Sequence, residues 1–212
     1  MLTNQMLDDY INRLMSLLEI CQEGDTEKAL DLLKDLTQCK IDYTNDRGYT
    51  ALMWTCAKNM PHVAHEILMH PYLCKLGHID NDGCTALIYA CNEETSNIAL
   101  EILDHPELCN MDNIDNDDVT ALIWACNRRL PRVALKMLET PKLCRMDHLT
   151  CDKDTALLWA CKKQMSDVAL KLLEYPDLCN PHQINGSMKT ALHYAKKHKM
   201  YHVIDILKNL PP

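Results

Sequence analysis

The chain lacks an excess of positive charge. Its 212 residues include 22 lysines and arginines against 30 aspartates and glutamates, for a formal net charge of −8. Nucleic acids and acidic membrane surfaces are bound chiefly through clustered Lys and Arg. The composition therefore argues against nucleic-acid and membrane partners, and any basic patch must be local. With 47% apolar residues, the chain has enough hydrophobic content for a sizeable core.

We expect neither a secretory nor a membrane-spanning segment. No apolar stretch reaches about 18 residues, the length that signals a membrane helix. The N-terminal stretch MLTNQMLDDYINRLM has acidic residues and helical periodicity, whereas a signal peptide has a basic segment followed by an apolar run. We therefore expect an intracellular, cytoplasmic protein, with the nucleus left open as an alternative.

Signatures of catalysis are sparse. The five glycines are too scattered to form a phosphate-binding loop, and no Ser-His-Asp constellation is evident. His65 and His70 lie one residue too far apart for a zinc-protease motif, which puts them about 140° apart around a helix. His62 is better spaced from His65, but no third ligand is evident. We expect no catalytic residue, no metal and no cofactor.

The twelve cysteines include no CxxC pair, the spacing typical of a structural zinc site. Two of them, Cys84 and Cys151, fall in predicted loops without a cation to lower the thiol pKa, and should be the first to react with an alkylating probe. The other ten form two columns with a 35-residue interval, which indicates free thiols in a repeated buried layer and a reducing compartment: Cys21, Cys56, Cys91, Cys126 and Cys161, and Cys39, Cys74, Cys109, Cys144 and Cys179.

Repetition is what the sequence has in abundance. The stretch DNDDVTALIWAC at 115–126 returns as DNDGCTALIYAC at 80–91 and as TCDKDTALLWAC at 150–161. Five threonines stand 35 residues apart, each followed by Ala-Leu: Thr50, Thr85, Thr120, Thr155 and Thr190. A fixed interval of this kind is the signature of a repeat array. It predicts one domain over 1–212, with an N-terminal helical cap at 1–44, internal repeats at 45–79, 80–114, 115–149 and 150–184, and a C-terminal cap at 185–212.

Each repeat should contain two short helices, because apolar residues recur at helical spacing on both sides of a polar break. Pro61 and Pro131 suit the first turn of the second helix, where the missing N–H is harmless. A second proline column should end that helix: Pro71, Pro106, Pro141 and Pro176. The ends of the array are marked by polar replacements at Lys196, Asp205 and Lys208, and by an N-terminal apolar stripe at Leu7, Tyr10, Ile11, Leu14, Leu18 and Cys21.

The TALIWAC helix, the VALKML helix and the TPKLC return loop together resemble the ankyrin-repeat family over roughly residues 10 to 210. The resemblance implies an all-α fold, an ankyrin-repeat solenoid of stacked helix-loop-helix units with projecting hairpin loops. It also implies a non-catalytic module that binds another protein. We expect the protein to be monomeric when alone. The long units that carry Pro and Cys are similar to those of protists and of large DNA viruses that infect amoebae, so a pathogen-encoded factor acting on host proteins is part of the hypothesis. In one departure from the family pattern, only His193 keeps the usual histidine.

The resemblance places partner binding on the concave face and the hairpin tips. There it maps onto an aromatic column, onto polar positions late in the first helices, and onto acidic turns: Trp54, Tyr89, Trp124 and Trp159; Lys58, Glu93, Asn127, Arg128, Arg129, Lys162, Lys163 and Lys197; and Asp80, Asp82, Asp115, Asp117, Asp118, Asp152 and Asp154. This set predicts a basic strip in the last three repeats beneath acidic hairpin tips, which would select a partner of matching charge.

Alternatives remain open at this stage. The charged positions also fit a merely solvated surface, and the aromatic column fits packing, because it recurs in every unit. For the whole protein, the alternative function is a structural or assembly component that packs against itself or a larger particle.

Overall fold

A computed structural model describes residues 16–36, 39–93 and 95–211. The predicted N-terminal stripe at Leu7, Tyr10, Ile11 and Leu14 lies outside these residues. The chain divides into two compact units, Met1–Cys109 and Asn110–Pro212, here called unit 1 and unit 2.

Unit 1 is built from successive helix pairs in two layers. Its described helices are α1 (Leu17–Glu23), α2 (Thr26–Leu33), α3 (Ala51–Ala57), α4 (Pro61–Leu68), α5 (Ala86–Asn92) and α6 (Ser96–Ile102). The first helix of each pair packs on the next first helix, α1 on α3 on α5, and the second helices α2, α4 and α6 pack in the same order. Each helix pair therefore covers the apolar side of the pair before it.

Unit 2 repeats this arrangement. Its helices are α7 (Ala121–Asn127), α8 (Pro131–Met137), α9 (Ala156–Lys162), α10 (Ser166–Leu173), α11 (Pro176–Cys179), α12 (Ala191–Lys197) and α13 (Tyr201–Asn209), with a 3-10 turn at Pro141–Leu143. The layers are α7, α9 and α12 on one side and α8, α10 and α13 on the other. Among the described residues, extended structure is limited to isolated bridges, Thr44 with Thr50 and Ile114 with Thr120.

The repeated threonine begins each first helix. Its hydroxyl accepts a hydrogen bond of 3.2–3.3 Å from the backbone N–H three residues later, at Thr50, Thr85, Thr120, Thr155 and Thr190. This bond satisfies one of the N–H groups that a helix start leaves unpaired. The 35-residue spacing alone drew attention to these threonines. Their role could also have been predicted, because a Ser or Thr directly before an apolar helical run is a signal of a helix start.

The prolines act as predicted. Pro61 and Pro131 are the first residues of α4 and α8. The second helices end at Leu68, Ile102, Met137 and Leu173, each before its downstream proline. The first helices end differently, because a residue with left-handed backbone stands two places after the last helical residue: Asn59, Arg129, Gln164 and Lys199.

The core is the repeated apolar layer. All ten cysteines of the two columns are buried, while Cys84 is half-buried and Cys151 is exposed, and the twelve thiols are free. The buried-layer prediction is therefore confirmed. Lys196, Asp205 and Lys208 are exposed. The division of the chain into repeats and caps stays a prediction. Among the described helices, none has both the length and the apolar character of a membrane span.

Candidate partner-binding surface

A five-residue turn precedes each threonine-capped helix. The N–H of its first residue donates to the carbonyl of its fifth: Asn45 to Tyr49, Asp80 to Cys84, Asp115 to Val119, Thr150 to Asp154 and Asn185 to Lys189. Where the first residue is Asp or Asn, its side-chain Oδ1 also accepts from the backbone N–H groups two and four residues later. Thr150 accepts the second of these bonds with its hydroxyl. The first side chain of the turn therefore holds it closed.

Three of the predicted tip carboxylates are buried. Asp80, Asp115 and Asp154 are 5%, 7% and 4% exposed. Asp80 and Asp115 close their own turns, and Asp154 Oδ1 accepts from Asn185 Nδ2 at 2.7 Å. The placement of these three on exposed hairpin tips is wrong, because their oxygens are turned inward to satisfy backbone and side-chain donors.

The remaining turn carboxylates reach solvent. Asp82, Asp117 and Asp152 are exposed. Asp118 is half-exposed and lies 3.3 Å from Nε2 of His148, which also contacts its backbone carbonyl at 2.9 Å. Fewer of the turn carboxylates are therefore exposed than the sequence predicts.

The aromatic column is half-buried, and in two repeats its polar end is bonded inside the fold. Trp124 Nε1 donates to Asp115 Oδ2 at 2.7 Å. The Tyr89 hydroxyl donates to Asp80 Oδ2 at 2.7 Å and lies 2.9 Å from the Tyr49 hydroxyl. Burial is the main cause that raises the pKa of the Tyr89 hydroxyl, and these hydrogen bonds raise that pKa further. A single aspartate thus closes the turn with one oxygen and fixes the ring of the following helix with the other.

Each tryptophan of the column has a cation over its ring. Lys58 Nζ lies 5.8 Å from the centre of Trp54, and the Arg128 guanidinium lies 5.4 Å from Trp124. Trp159 has two such neighbours. They are Lys162 at 4.0 Å and Lys163 at 5.4 Å. A cation at this distance stabilises an exposed site by about 0.5–1 kcal/mol. The structure therefore places the aromatic column next to the basic residues, which the sequence predicted as separate sets. The four-residue spacing that makes them neighbours could have been read from the sequence.

The other predicted residues have mixed exposure. Glu93, Arg129 and Lys197 are exposed, and Asn127 is half-buried at the end of α7. Groups of three or more His, Cys, Asp or Glu side chains able to bind a metal do not occur within the described ranges.

Comparison with known proteins fits this geometry. A family model described as ankyrin repeats (3 copies) matches residues 17–112. Residues 17–112 carry ankyrin repeats. Its fold is also that of solved ankyrin structures: EF0377, an ankyrin repeat protein, has 20% identity and a TM-score of 0.70 over 92% of this chain and 98% of its own. The ankyrin repeat domain ABAYE2397 from Acinetobacter baumannii AYE has 21% identity and a TM-score of 0.70 over 91% and 95%.

A third structural match comes from a complex. It is the structure of the predatory endopeptidase Bd0816 from Bdellovibrio bacteriovorus with the immunity protein Bd3460, with 20% identity and a TM-score of 0.67 over 92% of this chain and 98% of that one. Among curated proteins, no sequence matches this chain. Ankyrin repeats stack into arrays that other proteins use as binding surfaces, so the repeats themselves are a protein-interaction module.

Proposed function

We propose that this ankyrin-repeat protein is a non-catalytic adaptor that binds another protein through the column of aromatic rings and the residues beside it. One observation carries the proposal. The ring position is aromatic in all five repeats that begin with the capping threonine, whereas the residue four places later, directly after the same helix, varies: Lys58, Glu93, Arg128, Lys163 and His198. A constant aromatic ring can contribute binding affinity in every repeat, while the variable charge beside it can select the partner.

The charge of unit 2 indicates what kind of partner it would select. Arg128, Arg129 and Lys197 are exposed there, and Lys162 and Lys163 are half-exposed above Trp159. The nearby turns retain exposed carboxylates at Asp117 and Asp152. A partner with an acidic centre and basic edges fits this distribution, because complementary charge speeds encounter and excludes wrong partners.

The matched complex supports a protein ligand. In that structure an immunity protein is bound to an endopeptidase. A sequence identity of 20% supports a shared fold alone, so this match does not say which protein the present chain binds. We extend the proposal to a pathogen-encoded factor acting on host proteins, on the resemblance of its long repeats to those of protists and amoeba-infecting viruses.

Charge reversal in unit 2 tests the adaptor proposal. Arg128→Glu, Lys162→Glu and Lys163→Glu together should abolish capture of a protein partner from a lysate of the native cell. A matched control, Arg132→Glu, Lys142→Glu and Lys208→Glu, makes the same charge change at exposed positions outside the column and should leave capture intact. Helical circular dichroism should be retained in both. Equal capture by the two triple variants would contradict the proposal.

We also propose an intracellular, reducing location, cytoplasmic or nuclear. The ten buried thiols support it, because disulfide-free cysteines in this number suit a compartment that keeps thiols reduced. Fractionation of the native cell with thiol-trapping would test it, and recovery of the protein outside the cell in disulfide-bonded form would contradict it.

Self-assembly is the second candidate, and a patch of exposed apolar side chains in unit 1 favours it. Met69, Tyr72 and Leu73, after α4, are 63%, 82% and 55% exposed. Light scattering over a range of concentrations should show a constant monomer mass if the protein is an adaptor. A mass that rises with concentration and falls in Tyr72→Ser would favour assembly.

A further inference from the structure

Unit 1 contains a tryptophan whose buried N–H has no acceptor. Trp54 Nε1 is buried, and no described atom accepts its hydrogen bond. The next repeat of the same unit satisfies the equivalent ring, because the Tyr89 hydroxyl donates to Asp80 Oδ2 at 2.7 Å. A buried donor without a partner costs about 1–3 kcal/mol, so such a group calls for an explanation.

The two repeats differ at the first residue of the turn. Asn45 stands at the first position of its turn, where the next repeat has Asp80. Its Oδ1 accepts from the N–H groups of Arg47 and Tyr49 at 3.0 Å, which closes the turn as an aspartate would. The other end of the amide is an NH2 group, which donates and cannot accept. Where Asp80 supplies a second oxygen to the ring, Asn45 therefore supplies a second donor.

Asn45 and Trp54 both line one pocket. It has a volume of about 430 Å³ and is lined by Gln22, Asn45, Asp46, Arg47, Tyr49 and Trp54. Gln22 and Arg47 add further donors to its wall, and Lys58 lies 5.8 Å from the centre of the Trp54 ring. Asp46 is the one carboxylate of the lining, so the donors outnumber it.

We propose that this pocket binds a carboxylate of the partner, an Asp or Glu side chain, with Trp54 Nε1 and the Asn45 amide as its donors. The proposal rests on the proposed function and names the group that unit 1 would recognise. The choice of a carboxylate comes from the chain itself, because the next repeat fills the same position with the carboxylate of Asp80. Charge-assisted hydrogen bonds of this kind are roughly twice as strong as neutral ones.

The test uses the indole N–H signals of the full-length protein in a ¹H–¹⁵N spectrum. The chain has three tryptophans, so Trp54→Phe assigns the Trp54 signal by its loss. The probes are the capped tripeptides acetyl-Gly-Asp-Gly-amide and acetyl-Gly-Asn-Gly-amide. The Asp peptide should move the Trp54 signal downfield in a saturable titration. The Asn peptide should bind at least tenfold more weakly, and the Trp124 signal should stay in place because Asp115 already holds that indole.

Asn45→Asp is the decisive variant. It supplies in the chain the oxygen that the peptide would bring, so the Trp54 signal should lie downfield without peptide and should no longer respond to it. The variant should also melt at a higher temperature than the natural protein, which shows that it folds. A silent Trp54 signal, an equal response to the Asp and Asn peptides, or parallel shifts of Trp54 and Trp124 would each overturn the carboxylate site.

The outcome is separable from that of the adaptor proposal. If Trp54 is silent while partner capture still depends on Arg128, Lys162 and Lys163, the adaptor proposal stands and the carboxylate site fails. If Trp54 responds to the Asp peptide while no protein is captured, the carboxylate site stands and the adaptor proposal fails.

Discussion

Asp115 and Trp124 are joined by a 2.7 Å hydrogen bond from the indole Nε1 to the carboxylate Oδ2. The other oxygen of Asp115 accepts from the N–H groups of Asp117 and Val119 and closes the turn before α7. One side chain therefore fixes both the turn and the ring, so the ring is presented in a single orientation beside Arg128.

This bond predicts the effect of Asp115→Asn. The asparagine oxygen can still close the turn, but the indole loses its acceptor and stays half-buried. We expect the free energy of unfolding in urea to fall by about 1–3 kcal/mol. Asp117→Asn is the control, because its side chain is exposed, and it should change stability by less than about 0.5 kcal/mol. Equal losses in the two variants would mean that the bond contributes nothing.

The register of the buried layer is tested by Leu122→Ala. Leu122 is 0% exposed in α7, so the truncation removes buried contacts and leaves a cavity. We expect a loss of about 2–5 kcal/mol in the free energy of unfolding. Leu178→Ala removes the same atoms from a side chain that is 42% exposed and should cost much less. A loss below about 1 kcal/mol at Leu122 would contradict the burial assigned to this column.

The fourth residue of each turn has left-handed backbone, and this predicts a stabilising substitution. Gly48 and Gly83 occupy the position in unit 1 with φ of 79° and 75°, and Met188 occupies it in unit 2 with φ of 59°. The left-handed conformation costs a side chain roughly 1–2 kcal/mol, whereas glycine loses about 0.5–1 kcal/mol of backbone entropy.

Met188→Gly should therefore raise the free energy of unfolding by about 0.5–1 kcal/mol, since the Met188 side chain is 78% exposed and packs little. Thermal or urea unfolding would measure the gain. Gly48→Ala should destabilise, because its new Cβ would lie 2.9 Å from the Asp80 Cα. Met188→Ala keeps the strain and should be close to neutral. A loss of stability in Met188→Gly would show that the side chain contributes more than the backbone strain.

The buried thiols predict a steep loss of stability at alkaline pH. Burial raises the pKa of the Cys56 and Cys161 thiols to about 12. In the unfolded chain a thiol ionises near its ordinary pKa of about 8.5. The stabilisation is therefore complete below that pH and is lost as the pH rises towards about 12, by about 1.4 kcal/mol per pH unit for each buried thiol.

Urea unfolding between pH 7 and pH 10.5 would measure this slope. Cys56→Ala removes one such thiol and should reduce the slope above pH 9 by about 1.4 kcal/mol per pH unit. Cys151→Ala makes the same substitution at an exposed thiol and is the control. The same slope in all three proteins would show that the thiols are not the groups that titrate.

The candidate surface was only partly readable from the sequence. The four-residue spacing of Trp124 and Arg128 predicts that they are neighbours, and the guanidinium does lie 5.4 Å from the ring centre. Their role in binding a partner stays a prediction. The sequence could not separate Asp80 from Asp82, because both are aspartates of one Asp-Asn-Asp-Gly turn. The hydrogen-bond register of the folded turn buries the first and exposes the second.

The sequence by itself determined the repeat, the paired helices and the buried thiol layer, because each follows from a 35-residue recurrence of apolar and capping residues that any stacked array must satisfy. The tertiary structure decided which polar groups are consumed within the fold and which are left for a partner. Asn45 carries an amide where Asp80 carries a carboxylate, and only the folded structure shows that the Trp54 indole N–H is buried without an acceptor. Hydrogen-bond satisfaction depends on the distances between side chains, and the sequence does not contain those distances.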